Sequence, residues 1–310
     1  MSIAFVFPGQ GAQAIGMGQA LAEAYPAAQQ VFDEVDDALG EKLSTLIWTG
    51  EIEALTLTEN AQPALMATSM AALAAMQAEG IGLDRASFVA GHSLGEYAAL
   101  CAAGAVSLGD TSRLLRIRGR AMQAAVPVGQ GAMAAVLGLD ADAVDRVAQE
   151  AAQGDVCQLA NENDPTQNVI SGSAAAVERA IVLAKEAGAK RALPLPVSAP
   201  FHCALMQPAA DEMARALEDV QFNDPSVPLV ANVLADAVSD ATRIKALLVE
   251  QVTGRVRWRS SVEYMVAQGV TEFWEIGAGK ALSGMIRRIA KETTCRAVGT
   301  PADVAALQDV

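Results

Sequence analysis

Residues 87–100 read SFVAGHSLGEYAAL, and this stretch limits what the chain can fold into more than any other. Phe88, Val89 and Ala90 form a short apolar run of the kind that makes a buried strand. Gly91-His92-Ser93-Leu94-Gly95 satisfies G-x-S-x-G, and Glu96 to Gly104 continues as an Ala-rich helix. A strand that turns sharply into a helix crowds its own backbone, so the positions two residues either side of the serine tolerate little side chain. The serine Oγ then stands clear of the strand end, above a helix N-terminus whose N–H groups favour developing negative charge. The same letters also fit a plain Gly/Ala turn in a chain that holds 25 glycines. The strand before and the helix after favour a nucleophile elbow.

The length of 310 residues suits two domains or one large one, and 52% hydrophobic with 19% charged residues supports a packed core. A membrane span is not expected, because the charge-free stretch Asn60 to Ala78 is broken by Gln62, Pro63, Thr68, Ser69 and Gln77. MSIAFVFPGQ carries no basic leader, so no signal peptide is expected. Cys101, Cys157, Cys203 and Cys295 lack C-x-x-C spacing, and with two histidines in all, neither a disulfide framework nor a metal site is expected. A reducing cytoplasm is the expected setting. Lys and Arg number 22 against 36 Asp and Glu, a net charge of −14, which argues against nucleic-acid and anionic-membrane partners. An acidic partner would have to meet a local basic patch.

Ile3 to Phe7 reads as a strand closed by Pro8-Gly9-Gln10-Gly11, with a helix from about Met17. Gly9, Gly11 and Ala14 also satisfy the dinucleotide pattern G-x-G-x-x-G/A, with acids at Asp33 to Asp37. That site needs a second strand ending at the acid, whereas residues 27–48 look helical. The alternative is a glycine loop that brings a backbone N–H to a reacting group. Thr58 to Gly80 is a long apolar helix, and Ser107 to Asp110 caps another, Thr111 to Ala125, which carries Arg113, Arg116, Arg118 and Arg120. Strand 132–137, helix 140–152, strand 156–160, a turn at Asn161 to Pro165, strand 167–171, helix 174–187 and strand 191–197 follow. This β-α-β-β-α-β order is the ferredoxin-like unit, here read as a small domain inserted into a larger one. Beyond it come a helix from about Ala204, strand 228–232, helices 241–252 and 258–268, strand 272–276, a helix to about Lys291 and an edge strand at 296–298.

A serine nucleophile needs a base, and histidine suits because its pKa lies near neutrality. His92 leaves the elbow in another direction and reads as a buried, hydrogen-bonded structural residue. His202 remains, at a strand end and helix start, although a helix-start histidine without a catalytic part fits the same position. The carboxylates at Asp140, Asp142, Asp145, Glu178 and Glu186 fall on helices of the insert, and none stands out as a triad acid. A dyad, with the second imidazole nitrogen held by a backbone carbonyl, fits better.

PGQG, GHSLGEYAAL, IRGRAMQ, KRALPLPVSAPFH and QVTGRVRW together resemble the malonyl-CoA:acyl-carrier-protein transacylase family of fatty-acid synthesis, over essentially the whole chain. The resemblance implies an α/β fold: an α/β-hydrolase-like core with a mostly parallel sheet, residues 1–126 and 199–310, and an inserted ferredoxin-like subdomain, residues 127–198. It implies Ser93 as nucleophile, His202 as base, and oxyanion donors at the backbone N–H of Leu94 and Gln10. It places Gln251 where a main-chain carbonyl orients the histidine, Arg118 where the substrate carboxylate binds, and Asn161 near the site. Phe201 stands where close bacterial relatives often have a small residue, and it could narrow the pocket against branched acyl units. Arg113, Arg116 and Arg120 read as surface arginines. An acidic carrier is expected to dock on Lys190, Arg191, Arg287, Arg288 and Lys291.

The expected reaction moves a malonyl group from coenzyme A to the phosphopantetheine thiol of acyl carrier protein through a malonyl-serine ester, with no cofactor, in a monomer. A serine thioesterase or esterase would use the same elbow, a malonyl transferase of polyketide assembly the same chemistry, and a non-catalytic interaction domain would leave Ser93 unreactive.

Overall fold

A computed structural model describes residues 2–197 and 199–308. Met1, Ser198, Asp309 and Val310 lie outside the described residues, as does therefore the insert's boundary at residue 198. In chain order the first segment supplies β1 (Ile3–Phe7), α1 (Gln19–Ala24), α2 (Pro26–Leu39), α3 (Leu43–Thr49), α4 (Ile52–Thr56) and α5 (Thr58–Ala78). The elbow follows as β2 (Ala86–Gly91) and α6 (Gly95–Ala102), then α7 (Leu108–Ala124). Next come β3 (Gly131–Leu137), α8 (Ala141–Ala152), β4 (Cys157–Asp164), β5 (Gln167–Ser173), α9 (Ala174–Glu186) and β6 (Arg191–Pro194). The last segment holds α10 (Gln207–Glu218), β7 (Leu229–Ala231), β8 (Asp236–Val238), α11 (Ala241–Thr253) and α12 (Trp258–Ala267). It ends with β9 (Glu272–Ile276), α13 (Ala281–Ile289), β10 (Thr294–Val298) and α14 (Pro301–Ala305).

β1 is buried at every position, as a central strand covered on both faces must be. Successive side chains point to opposite faces. Phe5 and Phe7 join the large core with α2, α5 and α6, and Phe5 stacks on Trp274 at 5.2 Å. Ala4 and Val6 join a second core with Trp258, Val262 and Phe273. The sheet runs β10-β9-β1-β2-β7-β8, parallel except for the β7–β8 hairpin. β10 is the expected edge strand. The acids Asp33, Asp36 and Asp37 lie on α2, not at a strand end, so the dinucleotide pattern lacks its second strand.

The second sheet, β4-β5-β3-β6, is antiparallel throughout and carries the ferredoxin-like order. It has its own core, in which Val144, Val147 and Ala148 of α8 and Val177 and Ala180 of α9 cover Ala134, Val136 and Ile170. The expected turn at Asn161 to Pro165 is a correction: β4 runs on through Asp164. These polar residues are strand rather than loop because the core, not solvent, receives them. Glu162 pairs with Arg255 at 2.9 Å, Asn163 meets His92 at 2.9 Å, Asp164 pairs with Arg288 at 2.6 Å, and Asn161 bridges Val256. The strand expected over 191–197 ends at Pro194, and His202 lies in irregular backbone beyond it rather than at the strand end.

Candidate active site

The elbow sits where β2 ends beside β1. A Cβ on Gly91 would fall 1.9 Å from the backbone of Gly95, and a Cβ on Gly95 would fall 2.2 Å from the Phe7 carbonyl oxygen. Glycine at both positions lets the strand fold back onto the helix, and Ser93 between them is held in the left-handed region at φ 55°. Asn232, just past β7, braces this strained turn from the neighbouring strand. Its Oδ1 accepts from the Ser93 N–H at 2.8 Å and its Nδ2 donates to the Gly91 carbonyl at 2.7 Å. The Ser93 N–H is therefore occupied. The N–H of Leu94 belongs to the start of α6, where the helix itself supplies no acceptor.

Ser93 Oγ lies 2.7 Å from Nε2 of His202, which also has a left-handed backbone, at φ 58°. Nδ1 of His202 lies 2.9 Å from the Gln251 carbonyl oxygen, which can only accept. The ring proton therefore sits on Nδ1, and Nε2 presents its lone pair to the serine. Burial, with Arg118 nearby, holds the imidazole pKa down at about 3, so the ring is neutral and ready to take a proton. The one carboxylate on the elbow helix, Glu96, does not touch the ring. The serine and histidine form a dyad oriented by a peptide carbonyl.

Arg118 is 1% exposed, against the side of the elbow. α7 reaches it by close approach: a Cβ on Gly119 would fall 2.5 Å from Cα of Glu59, so the helix rides on the start of α5. The guanidinium donates to Gln62 Oε1 at 2.7 Å, Gln251 Oε1 at 2.8 Å and Ser93 Oγ at 3.1 Å, and lies over the Tyr97 ring at 5.7 Å. No carboxylate pairs with it among the described residues. It is a buried cation with neutral partners, one hydrogen bond from Ser93 Oγ, and a guanidinium so placed has the donor geometry that suits an anion.

Glu96 was not anticipated. It is 0% exposed, and its Oε2 accepts from the Asn232 N–H and from Gln251 Nε2, both at 3.0 Å. Burial raises its pKa to about 7 against the pull of these donors and of Arg118. The signal in the sequence is a single charge inside an otherwise apolar helix, GEYAALCA. Gln62, Thr58 and Asn232 were missed as well, each a neutral polar residue with a partner distant in sequence.

A cavity of about 420 Å³ opens over Ser93 and His202. Gln10, Leu94, Arg118, Asn161 and Phe201 all line it, as do Met133 and Val169 of the second sheet and Leu195 just past β6. His92 lines it too and is half-buried, which corrects the expectation of a buried residue; its Nε2 is held by Asn163 rather than by anything in the elbow. Gln251 lies behind the wall and acts through its carbonyl and its amide.

Other expected residues fall elsewhere. Arg116 is no surface arginine: it is buried and donates to the Glu59 carbonyl at 2.8 Å and to Asn60 and Glu41. Pro63 explains it, since a proline at that position leaves Glu59 without its helical N–H partner. Arg113 and Arg120 are exposed and paired with Asp110 and Glu59. Lys190, Arg191, Arg287, Arg288 and Lys291 are exposed and outside the cavity lining. Arg288 is bonded to Asp164 and to Gln167, a cavity residue.

An α/β sheet that delivers a strained serine to a neutral histidine, under a buried arginine, defines an enzyme of the serine acyl-transfer class. The family model described as the acyl transferase domain matches residues 4–306. The malonyl CoA-acyl carrier protein transacylase of Bacillus subtilis (strain 168) is 51% identical over 96% of this chain and 94% of its own length. The crystal structure of an acyl-carrier-protein-S-malonyltransferase from Bartonella henselae superposes with a TM-score of 0.98 at 56% identity, covering 100% of this chain and 99% of that one. A malonyl-transacylase solved in complex with its type II PKS acyl-carrier protein gives 0.97 at 45% identity, with 100% of both chains covered. The chain belongs to the acyl transferase family, among its malonyl CoA-acyl carrier protein transacylases.

Proposed function

We propose that this enzyme transfers a malonyl group from coenzyme A to the phosphopantetheine thiol of an acyl carrier protein through an ester on Ser93. The observation that carries the assignment of roles is the buried, carboxylate-free Arg118, one hydrogen bond from a serine that is itself bonded to His202. His202 Nε2 takes the Ser93 proton as Oγ attacks the thioester carbonyl, and the Leu94 and Gln10 N–H groups receive the oxyanion. The C–S bond then breaks, and the imidazolium returns the proton to the departing thiolate. The carrier thiol enters, gives its proton to His202, attacks the ester, and the steps reverse to release Ser93. Through both halves Arg118 holds the free malonyl carboxylate bidentately. An acetyl group leaves that buried cation without an anion, the kind of mismatch that costs about 10⁴ in selectivity where a site is built for a polar group.

The test is the intact mass of the protein after brief exposure to malonyl-CoA. One malonyl group is expected on wild type and none on Ser93→Ala; a variant that still transfers at full rate removes the nucleophile assignment. Thioesterase chemistry predicts equal turnover with and without a thiol acceptor. Residues 127–198 form, in this reading, a subdomain inserted between 1–126 and 199–310, supported by the separate core of the second sheet. Hydrogen exchange that leaves residues 131–194 without a protection class of their own argues against it. Lys190, Arg191, Arg287, Arg288 and Lys291 are the proposed carrier-docking cations, Phe201 and Asn161 the proposed pocket walls. The working form is a cytoplasmic monomer without metal or organic cofactor. Charge reversal at Arg287 that leaves the carrier's KM unchanged removes the docking surface, and sedimentation checks the monomer.

A further inference from the structure

The cavity wall contains a hydrogen-bond chain that the transfer mechanism above does not use. Arg118 Nη1 donates to Gln62 Oε1 at 2.7 Å, Gln62 Nε2 donates to Thr58 Oγ1 at 2.9 Å, and Thr58 Oγ1 donates to Gln10 Oε1 at 3.0 Å. Its direction is forced from one end. A guanidinium has no acceptor, so the Gln62 amide must turn its oxygen to Arg118 and its NH₂ to Thr58. Thr58 must then accept with a lone pair, which leaves its single proton for Gln10. Gln10 in turn must face inward with its oxygen. Arg118, Gln62 and Thr58 are each 1% exposed, so the two inner bonds of the chain are shielded from water, while the Thr58–Gln10 bond is part-buried at the rim. Gln10 is exposed, on a loop between β1 and α1, and Thr58 starts the long helix α5. The hydroxyl thus ties a loop residue to a rigid element at the cavity rim.

We propose that Thr58 is a positioning residue that joins the carboxylate clamp to the oxyanion loop: through Gln62 and the Gln10 side chain, Arg118 dictates the set of the Gln10 peptide. The proposal rests on the malonyl-transfer reading and adds to it a physical link between recognising the far end of the acyl group and activating its carbonyl. Such a link acts on the transition state, where the Gln10 N–H is called on, and little on ground-state binding.

The experiment measures single-turnover malonylation of Ser93 at varied malonyl-CoA in Thr58→Val, Thr58→Ser, Gln10→Ala and the Thr58→Val/Gln10→Ala pair. Valine keeps the shape and removes the hydroxyl. The acylation rate is expected to fall about 10- to 100-fold in Thr58→Val with half-saturation unchanged, and to stay within about threefold of wild type in Thr58→Ser. In the Gln10→Ala background, Thr58→Val is expected to add less than about twofold, because the relay then has nothing to hold. A Thr58→Val rate within about twofold of wild type, a loss confined to half-saturation, a serine variant no better than valine, or a full additive loss in the double variant each overturns the relay. A wild-type enzyme that takes no malonyl group refutes the function on which the relay rests, and the relay with it. Acylated wild type beside an unimpaired valine variant refutes the relay alone.

Discussion

Gln251 grips His202 by its main chain and Arg118 by its side chain: its carbonyl lies 2.9 Å from the imidazole Nδ1, and its Oε1 accepts from the guanidinium at 2.8 Å. Its amide nitrogen donates in addition to the Ser93 carbonyl at 2.9 Å and to Glu96. One residue of α11 therefore sets the His202 ring, the Arg118 guanidinium and the elbow relative to one another.

The two grips are separable by substitution. Gln251→Ala keeps the peptide carbonyl and so the histidine, but leaves Arg118 and Glu96 short of a buried partner. A stability loss of about 1–3 kcal/mol is expected in urea unfolding. Because the cation loses a support while the base does not, kcat/KM for malonyl-CoA should fall at least about tenfold more than that for acetyl-CoA. Equal losses for the two thioesters would mean that the side chain serves the dyad and not the clamp.

His202 carries a pH signature. Its folded pKa, about 3, lies below the ordinary 6.5, first because of burial and then because Arg118 repels a second positive charge. The folded state binds fewer protons than the unfolded chain between these values. The stability contributed by the neutral ring is thus present above pH 6.5 and is lost as pH falls toward 3. Wild type should lose more stability than His202→Asn between pH 7 and pH 4, by on the order of a few kcal/mol. For the same reason the acid limb of kcat/KM, which reports the free enzyme, is expected well below pH 6.5. A limb at the ordinary histidine pKa would show that the ring is solvated in the working enzyme.

Much of this arrangement is legible in the sequence, because local rules and tertiary structure agree there. The elbow needs its small residues at Gly91 and Gly95 for steric reasons that hold in any fold, and the β-α-β-β-α-β order follows from hydrophobic periodicity alone. The failures share a cause. Asn161 to Asp164 read as a turn because they are polar, yet they are strand because His92, Arg255, Val256 and Arg288 wait on the far side. Arg116 read as a surface residue because nothing near it in sequence announces that Pro63 has freed a carbonyl for it. β8 has three residues, none buried, and offers no alternation to detect. Partners distant in sequence decide these cases.

Glu96 gives the opposite pH signature from His202. Burial lifts its carboxyl to about 7 from the ordinary 4.5, so the folded state holds a proton that the unfolded chain has released. Its stabilising contribution is complete below pH 4.5 and is lost as pH rises through about 7. Glu96→Gln removes the titration but keeps an oxygen for the Asn232 N–H and the Gln251 amide. It also sets an NH₂ where Oε1 has no hydrogen-bond partner in the structure. Relative to wild type, Glu96→Gln should therefore gain stability as pH rises from 5 to 8, by on the order of 3 kcal/mol at most. Unfolding curves measured across that range carry the answer. Stability profiles of wild type and Glu96→Gln that run parallel would mean the carboxylate stays ionised throughout, with Arg118 compensating its charge across the Gln251 amide that separates them.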